Sequence, residues 1–336
     1  MCAQKNRNQT LDILKLVASF LVVCIHYMFS GSIGESIKAI SRFAVPFFFA
    51  ISGYFVYGND RIKIMKKIKH ILTIYIGSFL FYFCFSAIKY IIEEKTLMEY
   101  FLSYVNKTTV LDFFVLNETV SSGHLWFLPA LVYCYLIYNV IMNKLPDKVV
   151  LSISLILMFF YLTAEEFLPI ISVQLPTYVY GNAIVRAFPC FMLGFAVKKY
   201  KQFLSDYIPT WGSFVILGVG ILETIISSIL FGNSTTYLGS IFIIFALLLL
   251  AMKFEKKTYN QVLVKLSGYS LYIYVFHIAI GGVLQIFLNY FGVGNEMWWI
   301  NIKPIVVFVF SIILSFVIDY VLNFIRDKRT QLVLNE

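Results

Sequence analysis

The chain has 336 residues, of which 60% are hydrophobic and only 13% charged. A water-soluble domain is about half apolar and a quarter charged, so this composition excludes one and points to an all-α integral membrane protein. The net charge of +9 is spread over short loops with no recognisable nucleic-acid module, which excludes nucleic acid as the expected partner. Apolar runs of spanning length fall at roughly 11–30, 37–57, 71–92, 124–142, 149–165, 181–197, 211–231, 237–252, 268–288 and 304–325. The intervening loops alternate in charge. With the N-terminus inside, most basic residues gather in Arg61–Lys69, Lys144–Lys148, Lys198–Lys201, Lys253–Lys257 and Arg326–Arg329, all on one side. The other side collects Glu93, Glu94, Glu99, Asp112, Glu118, Glu165, Glu166 and Glu296. That phase predicts a ten-helix transmembrane bundle with both termini cytoplasmic.

The first run has no small-residue cleavage site and continues as a full span, so it reads as a membrane helix rather than a signal peptide. The expectation is a single transmembrane domain over residues 1–336, without a soluble domain. Cys2, Cys24, Cys84, Cys134 and Cys190 show no paired or metal-ligand spacing, so neither disulfides nor a metal site is expected. Between Glu93 and Gly123 lies the longest hydrophilic segment, which reads as an interfacial helix or lid. Its sequons at Asn106 and Asn117 are three-residue matches of little weight.

The first run carries Asp12, Lys15, Ser19, His26 and Ser30. At about 100° per residue these lie within about 60° of one another, forming one polar seam on an otherwise lipid-compatible helix. Lys15 and His26 are about 16.5 Å apart along the axis, and Asp12 is too far from His26 to orient it, so Asp12 pairs with Lys15. An ionisable seam in hydrocarbon is costly unless it faces a protein interior or water, so the default reading is functional. A second seam, Ser270, Tyr274, His277 and Gly281, recurs at helical spacing in the ninth run. Glu223 and Asp319 also fall within spans, as proton-relay groups or as structural acids. The run Arg61–His70 directly precedes the third span. It serves either as a positive-inside anchor on anionic membrane lipids or, together with Lys15, as a phosphate-binding ring at the inner mouth of the seam. No P-loop, dinucleotide fingerprint or nucleophile elbow occurs.

Several segments resemble the membrane-bound acyltransferase 3 family. LDILKLVASFLVVCIH is similar to that family's opening helix, with Lys15 and His26 matching a basic residue, ten residues and then His. RFAVPFFFAISGYF from Arg42, GHLWFLPAL from Gly123, FPCFMLGF from Phe188 and SLYIYVFH from Ser270 resemble further family segments in the expected order. The flavour is the Firmicute type, which includes the membrane domain of the vancomycin-resistance serine/alanine racemase. Where the family often shows Arg-x-x-Arg entering the third helix, this chain has Lys67 and His70, so the phosphate grip differs, because lysine lacks the guanidinium fork.

The resemblance implies transfer of an acyl group, usually acetyl, from cytoplasmic acyl-CoA to a hydroxyl of an extracytoplasmic acceptor such as a cell-envelope glycan or a small molecule. No permanently bound cofactor is implied. The place implied is the plasma membrane of a bacterium. His26 is then the catalytic residue. Lys15, Lys66, Lys67, Lys69 and His70 hold the acyl-CoA phosphates, and Arg42, His124, Trp126 and His277 stand on the acceptor side. The alternative is a transporter of a small polar molecule such as an amino acid, which polar seams also suit. Against it, the chain shows no inverted repeat or paired broken helices of the kind many transporters carry.

Overall fold

The computed structural model describes residues 8–92, 96–142 and 144–334. Cys2, Lys5, Arg7, Glu93, Glu94 and Lys95, which enter the sequence argument, lie outside them. Every regular element among the described residues is helical. In chain order the α-helices are α1 (Gln9–His26), α2 (Gly31–Ser41), α3 (Ala44–Tyr54), α4 (Arg61–Ile92), α5 (Leu97–Val105), α6 (Lys107–Leu111), α7 (Phe127–Ile141), α8 (Asp147–Leu162), α9 (Leu168–Ile170), α10 (Thr177–Tyr180), α11 (Phe188–Lys199), α12 (Lys201–Tyr207), α13 (Thr210–Phe231), α14 (Leu238–Lys253), α15 (Gln261–Ser267), α16 (Ser270–Tyr290) and α17 (Met297–Leu334). Three π turns, Asp112–Leu116, Thr163–Phe167 and Ala183–Ala187, and a 3₁₀ turn, Gly123–Trp126, lie between them.

Among the described residues, seven helical stretches are long and apolar enough to cross a membrane: Gln9–His26, Arg61–Ile92, Gly123–Ile141, Asp147–Ile170, Thr210–Phe231, Ser270–Tyr290 and Met297–Ile325. Large apolar side chains stand outward along them, among them Ile76 and Leu80 on α4, Leu222 and Ile229 on α13, and Ile313 on α17. Such side chains face lipid without penalty, so the chain is a multi-pass membrane protein. The other three expected runs are helical but short or broken. The run at 37–57 divides into α2 and α3 at Arg42–Phe43. Pro46 gives the reason, because it has no N–H for the Arg42 carbonyl and its ring collides with that carbonyl in a continuous helix. The run at 181–197 is a π turn followed by the twelve residues of α11, and α14 has sixteen.

The chain separates into two compact units, one formed by residues 1–41 and 255–336 and the other by 42–254. In the first, α1 packs on α15, α16 and α17, with Val23, Tyr269, Ile273 and Val307 at the centre. Asn8 caps α1 by accepting from the Leu11 amide at 3.1 Å. The helix stops at His26, where Tyr27 leaves the helical region at φ −128° and ψ 87°. Ser30 is therefore not on the seam helix, contrary to the sequence expectation. Its amide and hydroxyl instead donate to Asn301 Oδ1 at 3.0 and 2.6 Å.

In the second unit, α3 and α11 cross backbone to backbone. No Cβ fits at Gly53, which faces the Phe191 carbonyl, or at Gly194, which faces the Ala50 carbonyl. Gly220 and Gly239 allow a similar approach of α13 to α14. Lipid tails are as apolar as leucine, so helices in a membrane associate through such close fit rather than by escape from water. Aromatic packing completes this core, with Phe49 on Phe127 at 4.7 Å and Tyr135 on Phe191 at 5.2 Å between ring centres.

Candidate functional site

In the first unit the seam faces inward along most of α1 and ends in an exposed His26. Asp12 and Ser19 are buried, and Asp12 Oδ1 lies 2.6 Å from Lys15 Nζ, the expected pair. Ser19 closes its hydroxyl onto the Lys15 carbonyl. At the last residue of α1 the His26 ring lies 5.1 Å from that of His277, at 50° between planes. His277 is fully buried on α16. Its Nδ1 lies 2.7 Å from the Tyr274 carbonyl and 3.1 Å from that of Ile273. Only a protonated Nδ1 satisfies carbonyl oxygens, so Nε2 carries the lone pair in this tautomer. The two histidines that the sequence assigned to different roles are thus neighbours.

Beside them, Tyr27 donates to the Ile278 carbonyl at 3.1 Å and packs where Gly281 has no Cβ. Lys303 Nζ sits 4.6 Å above the Tyr27 ring and donates to Gln285 Oε1 at 2.6 Å. Asp319, the acid on α17, accepts from Tyr269 at 3.4 Å.

In the second unit the basic run is not a loop before the third span but the first turns of α4 itself. Asp60 caps that helix, accepting from the Lys63 amide at 2.8 Å. Lys66 and Lys69 share an open groove of about 320 Å³ with Arg61 and Met65, and His70 is also exposed. Lys67 turns the other way. Its ammonium donates to the Phe55 carbonyl at 3.1 Å and lies 5.6 Å over the Tyr135 ring. Three of the four expected donor-holding groups on α4 are therefore open to solvent, and the fourth is engaged with protein.

The remaining expected residues of this unit stand at helix breaks. Arg42 marks the one between α2 and α3. His124 packs edge-on to Tyr82 at 4.9 Å from the 3₁₀ turn before α7. Trp126, from the same turn, lies against Phe49 at 5.7 Å and beneath the Arg186 guanidinium at 4.0 Å. Arg186 belongs to the π turn before α11, and Glu165 and Glu166 to the π turn after α8. These charges form one electrostatic neighbourhood, in which Arg42 interacts with Arg186, Glu165, Tyr161 and Tyr237.

The acids are built into the wall of a cleft of about 530 Å³, lined also by Gln174, Tyr180, Asn233 and Tyr237. Glu165 Oε1 accepts from the Thr235 amide at 2.9 Å, and Glu166 Oε2 from the Leu238 amide at 2.7 Å. Glu223, the acid expected in the seventh run, accepts from the Gly239 amide and from Ser227 at 3.0 Å. Three carboxylates therefore hold the 235–239 segment and the first turn of α14. A helix N-terminus favours negative charge there. Tyr237 adds a bond to the Gly232 carbonyl at 3.0 Å, and Gly232 itself adopts φ +85°. The cleft wall is preorganised.

Sequence reasoning passed over Arg186 and gave Glu165 and Glu166 no role beyond loop charge. A signal was available. Arg42 and Glu165 stand four residues before Pro46 and Pro169, and Trp126 and Arg186 three before Pro129 and Pro189. Each proline removes the amide that the carbonyl four residues earlier needs, and the local winding changes to a break, a 3₁₀ turn or a π turn. The Glu165 carbonyl accepts instead from the Ser234 hydroxyl at 3.5 Å.

The scaffold is a broken multi-helix membrane protein with a two-histidine seam in one unit and a charged cleft in the other. The family described as "Acyltransferase domain", Acyl_transf_3, matches residues 8–324, so the chain belongs to the acyltransferase 3 family. A protein of Enterococcus faecalis called amino-acid racemase is 28% identical over 163 residues, 45% of this chain and 22% of that protein. The chain thus matches less than a quarter of that relative's length. No solved structure matches significantly. Among the described residues, no group of His, Cys, Asp and Glu could hold a metal ion.

Proposed function

We propose that the protein transfers an acyl group, acetyl first among the candidates, from cytoplasmic acyl-CoA to a hydroxyl on an extracytoplasmic acceptor such as a cell-envelope glycan. The proposed setting is a bacterial plasma membrane crossed ten times, with both termini inside, as the alternating loop charges require. The observation that carries the reading is the His26–His277 pair at one end of α1, with Lys15 about three turns away on the same helix. In this reading a neutral His26 takes the proton from the acceptor hydroxyl as its oxygen attacks the thioester carbonyl. The carbon–sulfur bond breaks, and the proton passes on to the departing CoA thiolate, leaving an ester and free CoA. His277, anchored through Nδ1, fixes its neighbour's surroundings. Lys15 serves the donor phosphates from the first unit, while Lys66, Lys69 and His70 offer open cationic groups on the second.

The test is single-turnover transfer from radiolabelled acetyl-CoA in proteoliposomes. His26→Ala lowers the rate by at least about a hundredfold, while the melting temperature and its rise with CoA stay as in the wild type. Retained turnover in that variant overturns the mechanism. Stabilisation by CoA but not by dephospho-CoA separates this reading from transport of a small polar solute.

A further inference from the structure

The second unit holds two guanidinium groups whose N–H donors are unused among the described residues. Arg42 and Arg186 are each largely enclosed, yet among the described residues neither donates a hydrogen bond or forms an ion pair. Arg186 is fixed from below by the Trp126 ring at 4.0 Å, a stacking that leaves its in-plane N–H groups pointing sideways. Arg42 lies in its field, so two like charges share a space of low solvent content. Two carboxylates lie in their field, Glu165 toward Arg42 and Glu118 toward Arg186, and neither comes within ion-pair distance. Glu165 Oε1 is committed to the Thr235 amide, Tyr237 to Ser234 and Gly232, and Tyr161 to the hydroxyls of Thr235 and Thr236. Both are half-buried, and two like charges in one neighbourhood with unused donors favour an anion that both can hold. Planar donor forks match carboxylate and phosphate oxygens in pairs.

Arg42 also interacts with Glu165 and Tyr237, which line the 530 Å³ cleft. That cleft has a different character. It carries no lysine or arginine, and it presents the Gln174 and Asn233 amides and the Tyr180 ring. Such a lining suits hydroxyl donors on a sugar ring. We propose that Arg42 and Arg186 seat an oxyanion, carboxylate or phosphate, on a saccharide whose hydroxyls occupy the adjoining cleft, which makes the acceptor an acidic glycan. This deepens the acyltransferase reading and rests on it for the word acceptor. The binding site stands independently of it.

The test is equilibrium binding to the full-length protein in detergent, with methyl glucuronide, glucose 1-phosphate, methyl glucoside and inorganic phosphate as probes. The expected result is that one or both anionic sugars bind at least about tenfold more tightly than methyl glucoside and than phosphate alone. Which of the two binds identifies the oxyanion's source. Arg186→Gln and Arg42→Gln abolish that preference, and Arg186→Lys restores only part of it, because lysine keeps the charge and loses the fork. Equal binding of neutral and anionic sugars, or an undiminished preference in a folded Arg186→Gln protein, overturns the proposal. If anionic sugars bind as expected while His26→Ala still transfers acetyl, the site stands and the mechanism falls.

Discussion

The two compact units place polar groups among apolar helices by opposite means. In the first, the polar side chains sit on an unbroken helical face. Asp12, Lys15 and Ser19 follow the pitch of α1, and His277 follows that of α16. In the second, three charges and an indole stand where helices fail, at Arg42, Glu165, Arg186 and Trp126, each three or four residues ahead of a proline. The difference has a physical origin. A continuous helix satisfies its own backbone, so its polar side chains need only a partner across the face. A proline leaves a carbonyl to be satisfied elsewhere, and the neighbouring loop that satisfies it becomes fixed in turn. The Ser234 bond to the Glu165 carbonyl is such a repair.

The comparison can be broken most severely at the crossing on which the second unit depends. Gly194→Val drives a side chain into the Ala50 carbonyl, and the expected loss is at least about 3 kcal/mol, read as a large fall in melting temperature or failure to extract a folded protein. Pro169→Ala sharpens the comparison instead. A restored amide lets the helix run straight through Glu165, so stability holds or rises while acceptor-dependent turnover falls by about tenfold. A parallel loss of both shows that proline does not present the acids. Lys15→Met tests the unbroken helix. Here the apparent KM for acyl-CoA rises by roughly fivefold to tenfold, more than that for the acceptor, in steady-state kinetics.

The smallest effect is at Asp60. The Lys63 amide and ammonium hold its carboxyl below the ordinary value of 3.8. A depressed pKa adds stability when the group is ionised, above its unfolded value, and that stability is lost as the pH falls through the folded one. Asp60→Ala therefore lowers the melting temperature slightly at neutral pH, and the difference from wild type shrinks in acid below 3.8.

Periodicity made the first unit legible. The seam on α1, the Asp12–Lys15 pair and the face bearing His277 all follow from helical pitch. Ser30 was misplaced because pitch says nothing about where a helix stops, and past the stop at Tyr27 Ser30 is held by Asn301, 271 positions away. The second unit was harder to read. A hydropathy window averages across Pro46 and sees one span at 37–57, although the backbone cannot continue through Arg42. Arg186 hid inside an apolar run for the same reason. The inward turn of Lys67, against its solvent-facing neighbours Lys66 and Lys69, depends on the Phe55 carbonyl left open at the end of α3. No local pattern announces that partner.

The length of α4 has a mechanical consequence. Its 32 residues extend about 48 Å, whereas a hydrocarbon core of about 30 Å takes up only about 20 of them. The apolar part begins at Ile71, so Arg61 to His70 form a mast standing in the headgroup layer. Bilayer thickness then sets how high the mast rides. In a thin membrane Lys66, Lys69 and His70 stand clear in water, and in a thick one the lower turns are drawn among lipid phosphates, which compete for the same cations. Lipid composition thereby acts as a dial on the charge that this face offers to any soluble anion.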